Sequence, residues 1–245
     1  MVKGLSLKVA KSMNLKTESM ELADFLENWL QKLPAAPLRE TILQPEKTVI
    51  ISVDVINGFC YAGALSSPRV ATIVKPISQL FTNLKKLGVK HFLLTQDTHE
   101  ADAVEFAQWP AHCVRGTAES ETVDEFKTLP FFSEFVTFPK NSIQSAFNTG
   151  LQAWINQHSE VSTFIIVGDC TDLCVYQLAM HLRLDANAHQ MQRRVLLPEN
   201  CTQTYDVSIP VALENNLAPH PGDFLHALFL YHMSLNGVEV IKKLE

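Results

Sequence analysis

From residue 46 onward, short runs without a polar face alternate with segments of helical spacing, and that alternation leaves few folds open. The runs fall at 48–53, 90–95, 135–138, 163–167, 193–197 and 237–241, with helical patterns near 69–87, 146–158, 173–186, 206–216 and 222–235. A strand that is apolar on both sides must be covered on both sides, and strands separated by helices pair in parallel. The pattern predicts an α/β fold, a three-layer α/β/α sandwich around a six-stranded, mainly parallel sheet. A chain of 245 residues can bury the core of one such domain. The expected organisation is a helical N-terminal extension over 1–45 and the α/β domain over 46–245.

In the extension, Lys3, Lys8, Lys11 and Lys16 precede the first acid, Glu18, and there is no apolar stretch of the kind a secretory signal needs. A transit peptide would favour Arg and Ser over Lys. Leu22, Phe25, Leu26, Trp29, Leu30 and Leu33 recur at helical spacing, and Pro34 and Pro37 end that helix. Its apolar face either covers the main domain or meets a second subunit. A formal charge of -6 and a pI near 5.8 argue against a nucleic-acid partner. No run approaches the roughly 18 apolar residues of a membrane span. Five cysteines, an odd number, read as reduced and buried thiols, which places the expected location in the cytosol.

Three polar residues sit just past apolar runs: Asp54 after Val49–Val53, Lys140 after Phe135–Pro139, and Cys174 in G-D-C-T-D-L-C-V after Thr163–Val167. In a parallel α/β sheet, ligands bind where strands give way to loops at their carboxyl ends. Residues from three distant parts of the chain would therefore converge on one crevice as a cysteine-hydrolase triad. The segment 97–134 is too long for an ordinary connector and is a candidate functional loop. Within it, Asp97 and His99 alternate just past a strand, and Glu105 and His112 can fold back to join them. Two imidazoles with carboxylates suit Zn²⁺, Fe²⁺ or Mn²⁺.

Asp54 within V-D-V-I-N-G-F-C, the stretch D-T-H…E-F-x-x-W-P-A-H-C-V-x-G-T, Lys140 ahead of Ser145-Ala146-Phe147, and T-D-L-C-V resemble the isochorismatase-like cysteine hydrolases, nicotinamidases in particular. The resemblance runs from residue 48 to about residue 235, and the segments Ile56–Cys60 and Gly116–Glu121 are similar to plant-type members. It implies hydrolysis of nicotinamide to nicotinate and ammonia through a thioester. Cys174 would be the nucleophile, Asp54 the general acid and base, and Lys140 the cation beside them. The N–H groups of Cys170 and Cys174 would form the oxyanion hole, behind a cis peptide at Asp169–Cys170. Phe59 and Trp109 would sandwich the substrate ring. Asp97, His99, Glu105 and His112 would hold one divalent metal ion, zinc first. The resemblance also implies a homo-oligomer. A hydrolase of another small amide or ureido compound, and a silent binding protein of the same fold, are the alternatives.

Overall fold

The computed structural model describes residues 14–245, so Lys3, Lys8 and Lys11 lie outside the described residues. Among the described residues nine strands follow in chain order: β1 (Ala35–Ala36), β2 (Thr48–Val53), β3 (His91–Asp97), β4 (Val136–Lys140), β5 (Thr163–Asp169), β6 (Arg194–Pro198), β7 (Thr202–Gln203), β8 (Glu239–Ile241) and β9 (Lys243–Leu244). Six of them form the expected parallel sheet in the order β4–β3–β2–β5–β6–β8, and the short β7 adds a seventh by pairing with the end of β5.

The alternation along β5 explains the three layers. Phe164 and Ile166 join Val175, Leu178 and Leu182 of the helix Cys174–Ala188 on one face. Ile165 and Val167 join Ile77, Phe81 and Leu84 of the helix Val74–Leu87 on the other. Each face is dry, so neither needs a polar side chain. The expected helix near 69–87 is two pieces, Pro68–Ala71 and Val74–Leu87. That near 146–158 shortens to Leu151–Gln157, behind Gly150 at φ 89°.

The chain runs from β2 outward through β3 and β4, then returns to place β5 on the other side of β2. This reversal opens a crevice at the carboxyl ends of β2 and β5. The two strands approach closely there. A Cβ on Gly168 (φ 118°) would lie 2.0 Å from the carbonyl oxygen of Val53, so only glycine fits.

The N-terminal helix, Leu15–Gln31, lies against the helix Gly222–Leu235 of its own chain. Phe25 and Trp29 stand edge-on to Tyr231, with ring centroids 5.0 and 5.4 Å away. Of the two readings left open by its apolar face, the structure supports the first. Among the described residues, no helix is long and apolar enough to cross a membrane.

Candidate active site

Each member of the expected triad stands at or just past the carboxyl end of a strand. Asp54 follows β2 with a left-handed backbone (φ 56°), an uncommon conformation for a residue with a Cβ. Its Oδ1 accepts the backbone N–H of Asp97 at 2.8 Å. Lys140 ends β4 directly opposite Asp97 of β3. The buried ammonium lies 2.9 Å from Asp54 Oδ2, donates to Asp97 Oδ1 and to the Ser142 carbonyl (3.1 Å), and sits 3.7 Å from Cys174 Sγ. Cys174 opens its helix, so its N–H has no partner in the helical ladder.

Burial dominates the electrostatics. It pushes Asp54 up to about 6, helped by the charge of Asp97 and opposed by Lys140. Burial alone would discharge Lys140, but Asp54 and Asp97 outweigh it and hold the ammonium well above its ordinary pKa. For Cys174, burial wins over Lys140, and Asp54 and Asp97 add to it, so the thiol stays well above its ordinary value. A helix terminus and a lysine by themselves would favour a thiolate. Burial and two carboxylates near the sulfur outweigh one ammonium, so Cys174 rests as a thiol beside Asp54.

The long loop carries nothing regular beyond four-residue turns. It is stitched back by His99 N–H to the Cys113 carbonyl (3.0 Å) and Arg115 N–H to the His99 carbonyl (2.8 Å), which brings His112 beside His99. The ligand atoms of Asp97, His99 and His112 lie within 4.8 Å of one another, all buried. His99 Nδ1 faces Asn141 Oδ1 at 3.0 Å, and His112 Nδ1 faces the Pro110 carbonyl at 2.8 Å. Each Nδ1 then donates, leaving each Nε2 lone pair aimed at Asp97 Oδ2, 3.5 and 3.8 Å away. His99 Nε2 is buried without a hydrogen-bond partner. Two imidazole lone pairs and a carboxylate fit a divalent cation of zinc-like softness. Glu105 is not among the three: it stands half-buried on the turn Val104–Ala107.

The peptide Asp169–Cys170 is cis. Beyond it the carbonyl of Cys170 accepts from Leu173 and Val175 at 3.1 Å, closing a tight turn onto the helix. Phe59 lies 5.7 Å from the His112 ring, and Trp109 stands edge-on to Tyr205 at 6.4 Å. Sequence reasoning passed over three neighbours. Phe106, inside the quoted E-F-x-x-W-P stretch, stands 5.3 Å from His99 and 5.6 Å from His112. Asn141 directly follows Lys140; Tyr205 carries no local signal. Asp169 is fully buried with Oδ1 unpartnered, and burial holds its carboxyl well above the usual range.

A model of the isochorismatase domain matches residues 48–227. This chain belongs to that family. Nicotinamidase 1 of Arabidopsis thaliana is 25% identical over 235 residues, covering 87% of this chain and 93% of that protein. A nicotinamidase of Acinetobacter baylyi is 29% identical over 162 residues, 54% of this chain and 72% of the relative. Among solved structures, the pyrazinamidase of Pyrococcus horikoshii in complex with zinc superposes with a TM-score of 0.62 at 22% identity, covering 80% of this chain and 99% of that one. The nicotinamidase of Bacillus subtilis gives 0.61 at 20% identity, with 80% and 99% coverage. At such identities the two structures establish the isochorismatase fold.

Proposed function

We propose that this isochorismatase-family chain is a nicotinamidase, converting nicotinamide to nicotinate and ammonia. One observation carries the reading: the Lys140 ammonium touches both Asp54 and Asp97, so the cysteine chemistry and the imidazole cluster are neighbours. A small carboxamide whose ring offers a lone pair is short enough to engage both. The curated nicotinamidase relatives support this choice among amides.

In this reading Asp54 takes the Cys174 proton as the sulfur attacks the carboxamide carbon. The negative charge gathers on oxygen, facing the N–H groups of Cys170 and Cys174. Asp54 then protonates the departing ammonia, leaving a thioester on Cys174. The same carboxylate draws a proton from water, which attacks the thioester, and passes that proton to the departing Cys174 sulfur as nicotinate is freed. Lys140 keeps Asp54 oriented and balances its charge. Asp97, His99 and His112 would hold one divalent ion, and Glu105, whose charge acts on His99, would reach it through water. Bound there, such an ion would supply a Lewis-acid anchor for the ring nitrogen. Phe59 and Trp109 would wall the ring. Five buried, unpaired thiols suit a reducing compartment such as the cytosol.

The competing reading, a ureido or other small amide lacking a ring nitrogen, would leave the imidazole cluster without a task. Ammonia release from nicotinamide, measured together with bound metal, decides between them. Turnover of a ureido compound with none of nicotinamide would overturn our assignment.

A further inference from the structure

The turn between Cys170 and Cys174 is fastened by two imidazoles that the proposed chemistry does not use. Thr171 Oγ1 meets His226 Nδ1 at 2.7 Å, and His226 Nε2 lies 3.8 Å from Glu199, itself paired to Lys242 at 2.9 Å. On the other side Asp172 Oδ1 accepts the Thr204 hydroxyl at 2.6 Å, and Asp172 Oδ2 lies 2.8 Å from His220 Nε2. The second network reaches further. His220 Nδ1 faces the carbonyl of Tyr205 at 3.0 Å, and the Tyr205 ring lies flat on the imidazole, with centroids 3.7 Å apart and planes 15° from parallel. Tyr205 in turn stands edge-on to Trp109.

His220 thus touches two things at once. Through Asp172 it holds the turn that carries both proposed oxyanion N–H groups. Through its ring it holds Tyr205, and Tyr205 meets the pocket residue Trp109. The antiparallel bridge between Val207 and His220 fixes where the imidazole stands, with each residue's N–H donating to the other's carbonyl at 2.8 Å. Because both ring nitrogens face oxygens, the ring has no free rotation left. Burial alone would raise Asp172, but His220 and Thr204 outweigh it and keep the carboxyl below its usual range. This end of the network is therefore a carboxylate.

We propose that His220 is a positioning residue that locks the nucleophile turn, through Asp172, to the substrate wall formed by Tyr205 and Trp109. The inference rests on the amidase reading but not on nicotinamide as the substrate. A carboxylate acting on the turn alone affects the reaction after binding. An aromatic acting on the wall alone affects binding. A residue holding both must affect both.

The test is steady-state kinetics on the metal-loaded enzyme, with melting temperature as the folding control. Asp172→Asn should lower kcat about tenfold with KM within about threefold, and Tyr205→Ala should raise KM about tenfold with kcat little changed. His220→Ala should do both. His220→Gln retains an N–H for Asp172 but offers no ring to Tyr205. It should recover most of kcat while KM stays high, a split that simple destabilisation would not produce. Should His220→Ala not fold, the glutamine variant decides: kcat and KM both as in wild type, or both lost together, would overturn the proposal. Wild-type turnover of nicotinamide tests the substrate reading separately. If that fails, the same ratios are read on whichever carboxamide the enzyme hydrolyses.

Discussion

The two halves of the candidate site are built differently. Asp54, Lys140 and the Cys174 turn come from the ends of three strands, so the sheet ladder sets their spacing. In the imidazole half only Asp97 ends a strand, β3, while His99 and His112 lie in the loop after it, held by loop hydrogen bonds and by Asn141. A rigid sheet suits bond making, where small displacements cost much rate. A loop suits recognition, since its residues can vary without disturbing the ladder. The contrast teaches that damage on the sheet side should read out as lost chemistry, and damage on the loop side as lost discrimination.

The sharpest way to break this division is at the nucleophile. Cys174→Ala should reduce turnover by at least about 10³-fold, because a methyl group forms no acyl intermediate, while bound metal measured by elemental analysis stays unchanged. Metal lost along with activity would mean that the two halves are not separable. On the loop side, His99→Ala or His112→Ala should cut the preference for nicotinamide over benzamide, which lacks the ring nitrogen, by about tenfold or more. An unchanged preference would hand specificity to Phe59 and Trp109 instead.

Asn141→Ala is a gentler probe. It frees His99 Nδ1 while leaving every ligand atom in place, so a metal titration should show affinity weakened by about 10–100-fold, with kcat at saturating metal near wild type. The smallest effect concerns Asp169, one residue past the point where β5 pairs with Val53 of β2. Its folded pKa lies above its unfolded value, so the folded state holds a proton that the unfolded chain releases. The associated stability is complete below about pH 4 and is lost as pH rises towards the folded pKa. Asp169→Asn should therefore raise the melting temperature at neutral pH by roughly 2–4 °C, with the gain vanishing below about pH 4. A gain constant with pH would mean that the carboxyl is not the cause.

The sheet side was also the more legible half. Apolar runs located all six main strands, and Asp54, Lys140 and Cys174, expected past three of them, stand together. A strand buried on both faces shows in the sequence as a continuous apolar run, and the run ends where the strand does. The loop side was legible only in part. Asp97, His99 and His112 came together as expected, whereas Glu105 did not join their cluster, because nothing in a loop's sequence sets how far a side chain reaches. Asn141, Tyr205 and His220 gave no signal for the same reason. Their importance lies in contacts across 42, 96 and 48 positions, to His99, Trp109 and Asp172. No local pattern encodes such distances.

The close approach at Gly168 has a consequence for how this protein can change over time. Every single-step replacement of that glycine brings at least a Cβ, and the atom it would strike is backbone, which cannot rotate aside. The separation between the strand leading to Asp54 and the strand leading to Cys174 is thereby withheld from gradual drift. Descendants of this chain are free to re-tailor the loop, while inheriting the spacing of Asp54 and the Cys174 turn unaltered.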